Sequence, residues 1–408
     1  MKSKLLFVGL CAGFCTAVFG QSLIGATVPF GMPLHENSGM SLSMGGASSA
    51  ANADYNVMLA NPAGLAATDK TVLSALLSFD FLRMAESSAH TNMMSLIPQQ
   101  ISIGIPLGLF GTVGISYNQR SIHNVSAQYS TVFTYNGLPA EFRSGLSETG
   151  GISVWQLGYG IPLWKKVQVG ASYERAYYSF DKSRVQSFFY AGSNELPSRD
   201  SSKTKSALNG LRLGAVLPVA KVRIGLSGEY FFSGDAKTDS AVYPLASNVP
   251  VPGTAEEQTY KLRLPPSLTL GLACDFSPQW LAAADVSLVF WKFAFTGNEN
   301  TSVIYAPSVS LGGQYIPAPN LLTPKYWEII RYRAGLRYTQ LPSARAYEVM
   351  LSLGTGLPIG KGTGVFDIGI ELGKRISGEF PDLTEDIVRI AIGFNGGRKW
   401  SKLSRGNY

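Results

Sequence analysis

The chain is poor in several features that mark helical membrane proteins, nucleic-acid-binding proteins and metalloenzymes. After the N-terminus it contains no run of about eighteen apolar residues, which excludes membrane-spanning helices. The net charge of +7 is spread along 408 residues and forms no basic cluster, so we expect no nucleic-acid partner. Charged residues make up only 15% of the chain, whereas glycine reaches 44 residues. This composition is more typical of a β-rich membrane protein than of a soluble enzyme.

Cysteine is also scarce. Two of the three cysteines lie in residues 1–20, which leaves Cys274 alone if that segment is removed. Residues 1–20 have the pattern of a secretory signal, with Lys2 and Lys4, then an apolar stretch, then a plausible cleavage site before Gln21. A single cysteine allows no intramolecular disulfide, so stability must depend on hydrogen bonding and packing.

The sequence contains no pattern typical of a catalytic or metal centre. None of the three histidines stands with another His, Cys, Asp or Glu at ligand spacing. A Gly-x-Ser-x-Gly elbow is missing. Residues 356–361 resemble a phosphate-binding loop, but the spacing is one residue short and Lys361 is followed by glycine. We therefore expect no enzyme activity, no metal and no cofactor.

The residues that are present alternate between apolar and small or polar side chains. In residues 100–117 the apolar Ile101, Ile103 and Ile105 are separated by Ser102 and Gly104, and alternation resumes after a Pro-Leu-Gly turn. A period of two is typical of a β-strand with one face in an apolar medium. Similar hairpin patterns recur at residues 158–173, 211–230 and 351–372.

Counting such segments predicts an all-β fold, a transmembrane antiparallel β-barrel of about fourteen strands. An even number near fourteen, with about ten residues a strand, suits a single-chain barrel. A soluble β-sandwich or propeller would also alternate. The candidate strands lie near residues 71–84, 94–106, 111–121, 149–162, 166–180, 204–218, 221–233, 261–274, 279–294, 303–316, 327–339, 346–358, 364–375 and 386–395.

The connections between these strands fall into two classes, which favours the barrel. Tight turns containing proline alternate with long polar connections at residues 121–148, 181–203 and 234–260, and a sandwich has no reason to sort its loops in this way. Tryptophans near strand ends fit an interfacial belt. Trp164, Trp280, Trp327 and Trp400 lie at the tight-turn end, and Trp291 lies toward the other end.

The alternation also assigns charged side chains to the inside of the barrel. An Arg or Lys facing lipid at mid-membrane costs about 2–4 kcal/mol, so charges on the alternate face belong in the lumen. We expect them to form ion pairs that brace the wall, and a charged ring that selects ions is the alternative. The predicted lumen charges are Arg212, Arg223, Glu229, Arg333, Arg337, Asp367, Glu371 and Arg389. Glycines recur on the same face, either to admit a second backbone or to ease strand curvature.

Residues 21–70 show no strand pattern and carry the sequence Asn61-Pro62-Ala63-Gly64-Leu65. A signal peptide, a Met-Gly-Gly-Ala segment, this motif and then continuous alternating strands resemble the FadL-like outer-membrane transport proteins. The resemblance implies an N-terminal hatch, carrying the motif, that plugs a barrel of fourteen strands. The expected domains are a signal at 1–20, a hatch at 21–70 and a barrel at 71–408 with a short basic C-terminal tail.

The resemblance implies passive uptake of long-chain fatty acids or other hydrophobic compounds across the outer membrane. The expected partners are a fatty acid-like small molecule and outer-membrane lipid, with an apolar pocket among the external loops. The alternative is a barrel that does not transport but binds secreted or other partner proteins. The resemblance further implies sideways exit of ligand through the wall, although the sequence shows no kinked strand that would form a side opening.

Overall fold

The computed structural model describes residues 22–35, 38–51, 60–86, 89–135, 137–163, 167–190, 197–244, 249–296, 303–343, 345–360, 363–379 and 381–398. The predicted signal at 1–20, the C-terminal tail after Arg398, Trp164 and Trp400 lie outside the described residues.

The described residues form one antiparallel barrel of fourteen strands, so the predicted fold class is confirmed. A two-residue strand, β1 (Met32–Pro33), precedes the barrel. The barrel closes because β15 pairs with β2, from Leu383 opposite Glu86 to Arg398 opposite Thr71. Its strands are β2 (Thr71–Glu86), β3 (Ala89–Pro106), β4 (Thr112–Tyr135), β5 (Leu138–Pro162), β6 (Gln168–Tyr190), β7 (Ser198–Val219), β8 (Val222–Phe231 and Gly234–Pro244), β9 (Glu256–Arg263 and Ser267–Asp275), β10 (Trp280–Val289 and Phe295–Thr296), β11 (Ala306–Tyr315), β12 (Arg331–Gln340), β13 (Ala346–Ile359), β14 (Gly364–Ser377) and β15 (Leu383–Arg398).

The period-two pattern places apolar side chains on the outside of the wall. In β9, for example, Leu268, Leu270 and Leu272 are exposed, while the alternating residues Gly271 and Ala273 are buried. Equivalent apolar residues cover the outward face of the neighbouring strands, as expected where a wall meets acyl chains. No helix among the described residues is long and apolar enough to cross a bilayer.

The long polar connections predicted at 121–148 and 181–203 are mostly strand, so this prediction was wrong. Strands β4 and β5 pair continuously up to Tyr135 opposite Leu138, and β5 pairs with β6 up to Tyr190. Part of 234–260 is strand as well, in the upper segments of β8 and β9. These segments extend beyond the apolar band, where both faces meet polar surroundings. Their sequence therefore loses the alternation by which strands were recognised.

We call this end of the barrel the hairpin end and the opposite end the tight-turn end. Three neighbouring strands are interrupted at one level toward the hairpin end: β8 at 232–233, β9 at 264–266 and β10 at 290–294. Pro265 and Pro266 explain the break in β9, because proline has no amide hydrogen for the ladder.

Strands β3 and β4 also separate toward the hairpin end. They pair only from Pro106 opposite Thr112 to Gln100 opposite Asn118. A β-bulge between Gln119 and Ser121 then bends β4 away. The sequence showed no kinked strand, whereas the structure bends β4 at this bulge. A bulge adds a single residue, and nothing in the local sequence of β4 marks it.

The N-terminal segment packs against the inner face of the wall. It contains helix α1 (Leu23–Ala26), β1, helix α2 (Gly39–Ser43) and a 3-10 helix (Pro62–Ala67). Strand β1 pairs with the free side of β4 just past the bulge, with Met32 opposite Ile122 and Pro33 opposite Ser121.

Candidate functional site

The Asn61–Leu65 motif docks on the inner wall near the tight-turn end. Asn61 caps the 3-10 helix by accepting a 3.1 Å hydrogen bond from the Ala63 amide, and Pro62 starts that helix. The Asn61 amide group donates to the carbonyl of Ser49 at 2.8 Å and to that of Ala215 in β7 at 3.3 Å. Ala63 and Leu65 are buried, and Gly64 donates its amide to the Asn61 carbonyl.

This docking depends on inward-facing glycines that form a belt around the barrel. A Cβ added at Gly214 would lie 2.1 Å from the Asn61 side-chain oxygen, and one at Gly170 would lie 2.4 Å from the Pro62 carbonyl. The belt continues under residues 39–50, where a Cβ would lie within 3.2 Å of that segment at Gly225, Gly271, Gly312, Gly335, Gly354, Gly369 and Gly393. These contacts favour the close-approach account of the glycines over the curvature account.

Above the belt, towards the hairpin end, four charged side chains form an ion-pair cluster. Arg212 bonds Glu174 at 2.9 Å and Glu229 at 2.8 Å, and Arg120 bonds Glu229 at 2.6 Å. Arg212 also donates to the carbonyl of Ala60 at 2.9 Å. The cluster therefore links β4, β6, β7 and β8 to the N-terminal segment.

A second cluster crosses β12 to β15 and β2. Glu371 lies 3.1 Å from Arg337 and 2.8 Å from Arg389, which also bonds Asp80 at 2.7 Å. It continues through Arg375, which bonds both Glu348 and Glu385 at 2.6 Å. Glu385 in turn accepts hydrogen bonds from the Ser22 hydroxyl and, at 3.1 Å, from the Ile24 amide.

The remaining predicted lumen charges lie near the belt. Arg333 bonds Asp367 at 2.5 Å, and Arg223 bonds Asp275 and the Ala50 carbonyl. The structure thus places all eight predicted charges on the inward face. Their partners Asp80, Arg120, Glu174, Asp275 and Glu348, and Arg375 and Glu385 that extend the second cluster, were not predicted from the sequence. The alternation of odd- and even-numbered residues could have placed all of them inside. Even Arg120 continues the inward series that contains Ser116 and Asn118, because the alternation in β4 changes only after the bulge.

A cavity of about 260 Å³ lies above the ion pairs, with an apolar wall around Phe30 and polar side chains such as Ser49, Thr269 and Ser308 on the rest of its lining. Phe30 of the N-terminal segment stacks on Trp291 with ring centroids 6.0 Å apart and meets Tyr178 edge-on at 5.7 Å. The cavity wall also includes Ile152, Val154, Phe231, Leu264 and Ala306. Trp291 is therefore inside the barrel, and its predicted interfacial position was wrong. The odd-numbered residues of β10, such as Leu281 and Ala283, face inward, and Trp291 continues this odd-numbered series just after the strand.

This cavity lies in the lumen, whereas the sequence predicted an apolar pocket among the external loops. Residues Phe30, Leu34, Arg120 and Ser121 line the cavity on the side where β1 covers the separation of β3 and β4. Pro265 and Trp291 line it on the side where β8 to β10 are interrupted. The cavity therefore lies between the two irregular parts of the wall.

Both arginines at the cavity are already paired with carboxylates, which limits the ligands that fit. Arg120 and Arg212 are both held by carboxylates, and Asp285 accepts hydrogen bonds from the amides of Ser48 at 2.8 Å and Ser49 at 2.9 Å. Burial, together with the positive charge of Arg337, lowers the pKa of His35 from 6.5 to about 3, so this side chain is neutral at physiological pH. Among the described residues, no group of three or more His, Cys, Asp or Glu side chains could hold a metal ion.

The barrel of fourteen strands is the fold of solved FadL-like outer-membrane proteins. Solved structures with this fold cover nearly the whole chain. The Ralstonia pickettii toluene transporter TbuX is 17% identical, with a TM-score of 0.59 over 89% of this chain and 99% of that one. A Pseudomonas aeruginosa FadL homologue is 12% identical, with a TM-score of 0.63 over 89% and 99%. The Pseudomonas putida toluene transporter TodX is 16% identical, with a TM-score of 0.58 over 90% and 100%.

A family model named BamG matches residues 3–407. The chain belongs to the BamG family. No curated protein matches the sequence. The predicted FadL-like resemblance is confirmed as a likeness of fold, and the family carries a different name.

Proposed function

We propose that the protein takes up neutral hydrophobic compounds passively across the outer membrane, with residues 21–70 acting as the plug. The hairpin end then faces outward and the tight-turn end faces the periplasm, since short periplasmic turns are typical of such barrels. The single observation that carries the proposal is the cavity inside the barrel, which has one apolar wall and lies above an inner wall crossed by ion pairs. Several structural neighbours are described as toluene transporters or as a monoaromatic hydrocarbon channel, which supports the same substrate class.

The cavity favours uncharged ligands over fatty acids. A carboxylate buried among apolar residues needs a cation to offset its loss of hydration. Arg120 and Arg212 line the cavity, but each already bonds Glu229. We therefore expect neutral aromatic or alicyclic compounds to be taken up in preference to long-chain fatty acids.

The separation of β3 and β4 supplies a sideways route in this proposal. Strand β1 covers the edge of β4 there, with the Leu34 amide donating to the Arg120 carbonyl at 2.7 Å. Three residues of pairing can be released at modest cost, since a typical hydrogen bond contributes about 0.5–1.5 kcal/mol net.

Uptake of labelled toluene and of a labelled long-chain fatty acid, by cells with and without the protein, tests the proposal. We expect faster toluene uptake with the protein and little change for the fatty acid. Ala306→Phe should fill the cavity and reduce toluene uptake several-fold, because Ala306 is buried in its wall. Ala284→Phe on the lipid-facing side of β10 is the matched control.

If uptake of both compounds is the same with and without the protein, the transport proposal is wrong. The partner-binding barrel then becomes the better account.

A further inference from the structure

Beyond the bulge, strand β4 has a long free edge. From His123 to Tyr135 it pairs with β5 on one side. On the other side its pairing with β3 ends at Asn118, and β1 covers only Ser121 and Ile122. Within the described part of the chain, no backbone hydrogen bond reaches that side of residues 123–135.

This edge lacks the features that normally prevent strand addition. Natural sheets protect exposed edges with charged side chains, proline, bulges or short length. Residues 123–135, HNVSAQYSTVFTY, contain no Asp, Glu, Lys, Arg or Pro. Tyr129 is 61% exposed and Val132 is 72% exposed, so the upper part of the edge is open to solvent.

The contact with β1 shows which groups point away from β5. The Arg120 carbonyl accepts a hydrogen bond from Leu34, and β1 places Met32 opposite Ile122. In an antiparallel ladder, residues two apart direct their amides and carbonyls to the same side. Ser126, Gln128, Ser130 and Val132 therefore present unpaired main-chain groups to the free side.

Strand β1 also shows that this edge accepts an antiparallel strand. The N-terminal segment leaves the edge at Phe30 and Gly31, whose φ angles are +64° and +83°. A backbone in this region turns sharply, so the segment cannot continue along β4. The edge beyond Ile122 is left to another strand.

A second copy of this chain does not fit the edge. Two barrels in one membrane are related by an axis along the membrane normal, so both copies of β4 run outward. If the two β4 edges met, each residue would lie opposite the same residue of the other copy. Amides would then face amides, and carbonyls would face carbonyls. Such pairing forms no ladder.

We propose that an extended, uncharged segment of a different polypeptide adds to β4 as an antiparallel strand along residues 126–134, by β-augmentation. A concave groove of about 810 Å³ crosses the face of β4, β5 and β6 next to this edge, lined by hydroxyl groups such as Ser126, Ser130 and Ser147 and by the paired Glu141 and Arg143. Alternate side chains of the partner segment would lie on the same face of the sheet as this groove, which suits small polar residues. The other set would face the side of the sheet that carries Tyr129 and Phe133. This docking does not depend on the transport of small molecules.

Photo-crosslinking in intact cells tests the proposal, with a benzophenone side chain replacing Tyr129. We expect one discrete adduct, with the attached peptide derived from an uncharged extended segment of another protein. Gln128→Pro removes an amide on the free side while leaving the ladder with β5 intact, and should reduce the adduct about fivefold to tenfold. Gln128→Ala keeps the amide and should leave the adduct unchanged.

The heat-dependent gel mobility of a folded barrel checks that each variant is assembled. In correctly assembled variants, the absence of a discrete adduct, an adduct to a second copy of this chain, or equal loss in Gln128→Ala and Gln128→Pro would each overturn the proposal.

Discussion

At the scale of single residues, side-chain volume on the inner wall decides whether the N-terminal segment can dock. Gly312 and Gly313 are neighbours in β11 that face opposite sides of the wall. A Cβ at Gly312 would lie 2.3 Å from the Met44 carbonyl, whereas one at Gly313 meets nothing closer than 3.6 Å. The two positions therefore form a matched pair.

We expect Gly312→Ala to weaken docking by about 1–3 kcal/mol, the usual cost of overpacking. Gly313→Ala should have little effect. Limited proteolysis of the folded barrel measures docking, because a displaced segment is cleaved faster. Equal cleavage rates in the two variants would contradict the close-approach account.

Buried charge also acts at this scale. Glu385 is fully buried and accepts hydrogen bonds from Arg375, Ser22 and Ile24. The next residue, Asp386, faces outward and is half exposed, with Lys374 at 3.6 Å. The same strand thus carries one carboxylate that holds the N-terminal segment and one that does not.

Glu385→Gln should destabilise the protein by about 1–3 kcal/mol, because the neutral amide weakens a buried hydrogen bond to Arg375, which keeps its bond to Glu348. Asp386→Asn should cost about 0–1 kcal/mol, as exposed ion pairs do. Urea unfolding in detergent gives both values. In a Cys274→Ser background, labelling of Ser22→Cys should speed up only in the Glu385 variant, and unchanged labelling would show that Glu385 does not hold this end.

At the scale of elements, strand β1 controls the separation between β3 and β4. Pro33 lies opposite Ser121, and adjacent antiparallel strands bring paired Cα atoms within disulfide range. Ile115 and Leu157 pair in the same way between β4 and β5, which are joined along their length. A disulfide at the first pair would fix β1, while one at the second only reinforces the wall.

In the Cys274→Ser background, we expect the Pro33→Cys/Ser121→Cys protein to lose toluene uptake when oxidised and to regain it on reduction. The Ile115→Cys/Leu157→Cys protein should transport equally in both states. If the oxidised Pro33/Ser121 disulfide protein still transports, the route does not pass the free edge of β4.

At the scale of the whole molecule, the lumen is layered along the barrel axis. The glycine belt with the N-terminal segment lies near the tight-turn end, the ion pairs come next, and the cavity lies toward the hairpin end. If residues 21–70 are the plug, their removal should leave a wide passage lined by charged side chains.

Deletion of residues 38–67 should therefore convert the protein into an ion-conducting pore in planar bilayers. The full-length protein should show low conductance under the same conditions. Heat-dependent gel mobility establishes that the shortened barrel is folded. A folded deletion variant without added conductance would rule out the plug.

The barrel itself could be predicted from the sequence, because a strand that separates lipid from a lumen must alternate apolar and polar residues along its length. The alternation of odd- and even-numbered residues therefore predicted the number of strands and the inward position of Arg212 and Glu371. It failed at 121–148, where both faces of the sheet meet polar surroundings and the alternation disappears.

The sequence by itself determined the class of fold and the inward face of the charges, since both follow from local periodicity and the cost of exposing charge to lipid. Only the tertiary structure decided which charges pair, where β4 leaves β3, and that Trp291 packs on Phe30 from a distant segment. These features depend on contacts between residues far apart in the chain. A single bulge at Arg120 changes the contacts that β4 makes, although the local sequence pattern does not mark it.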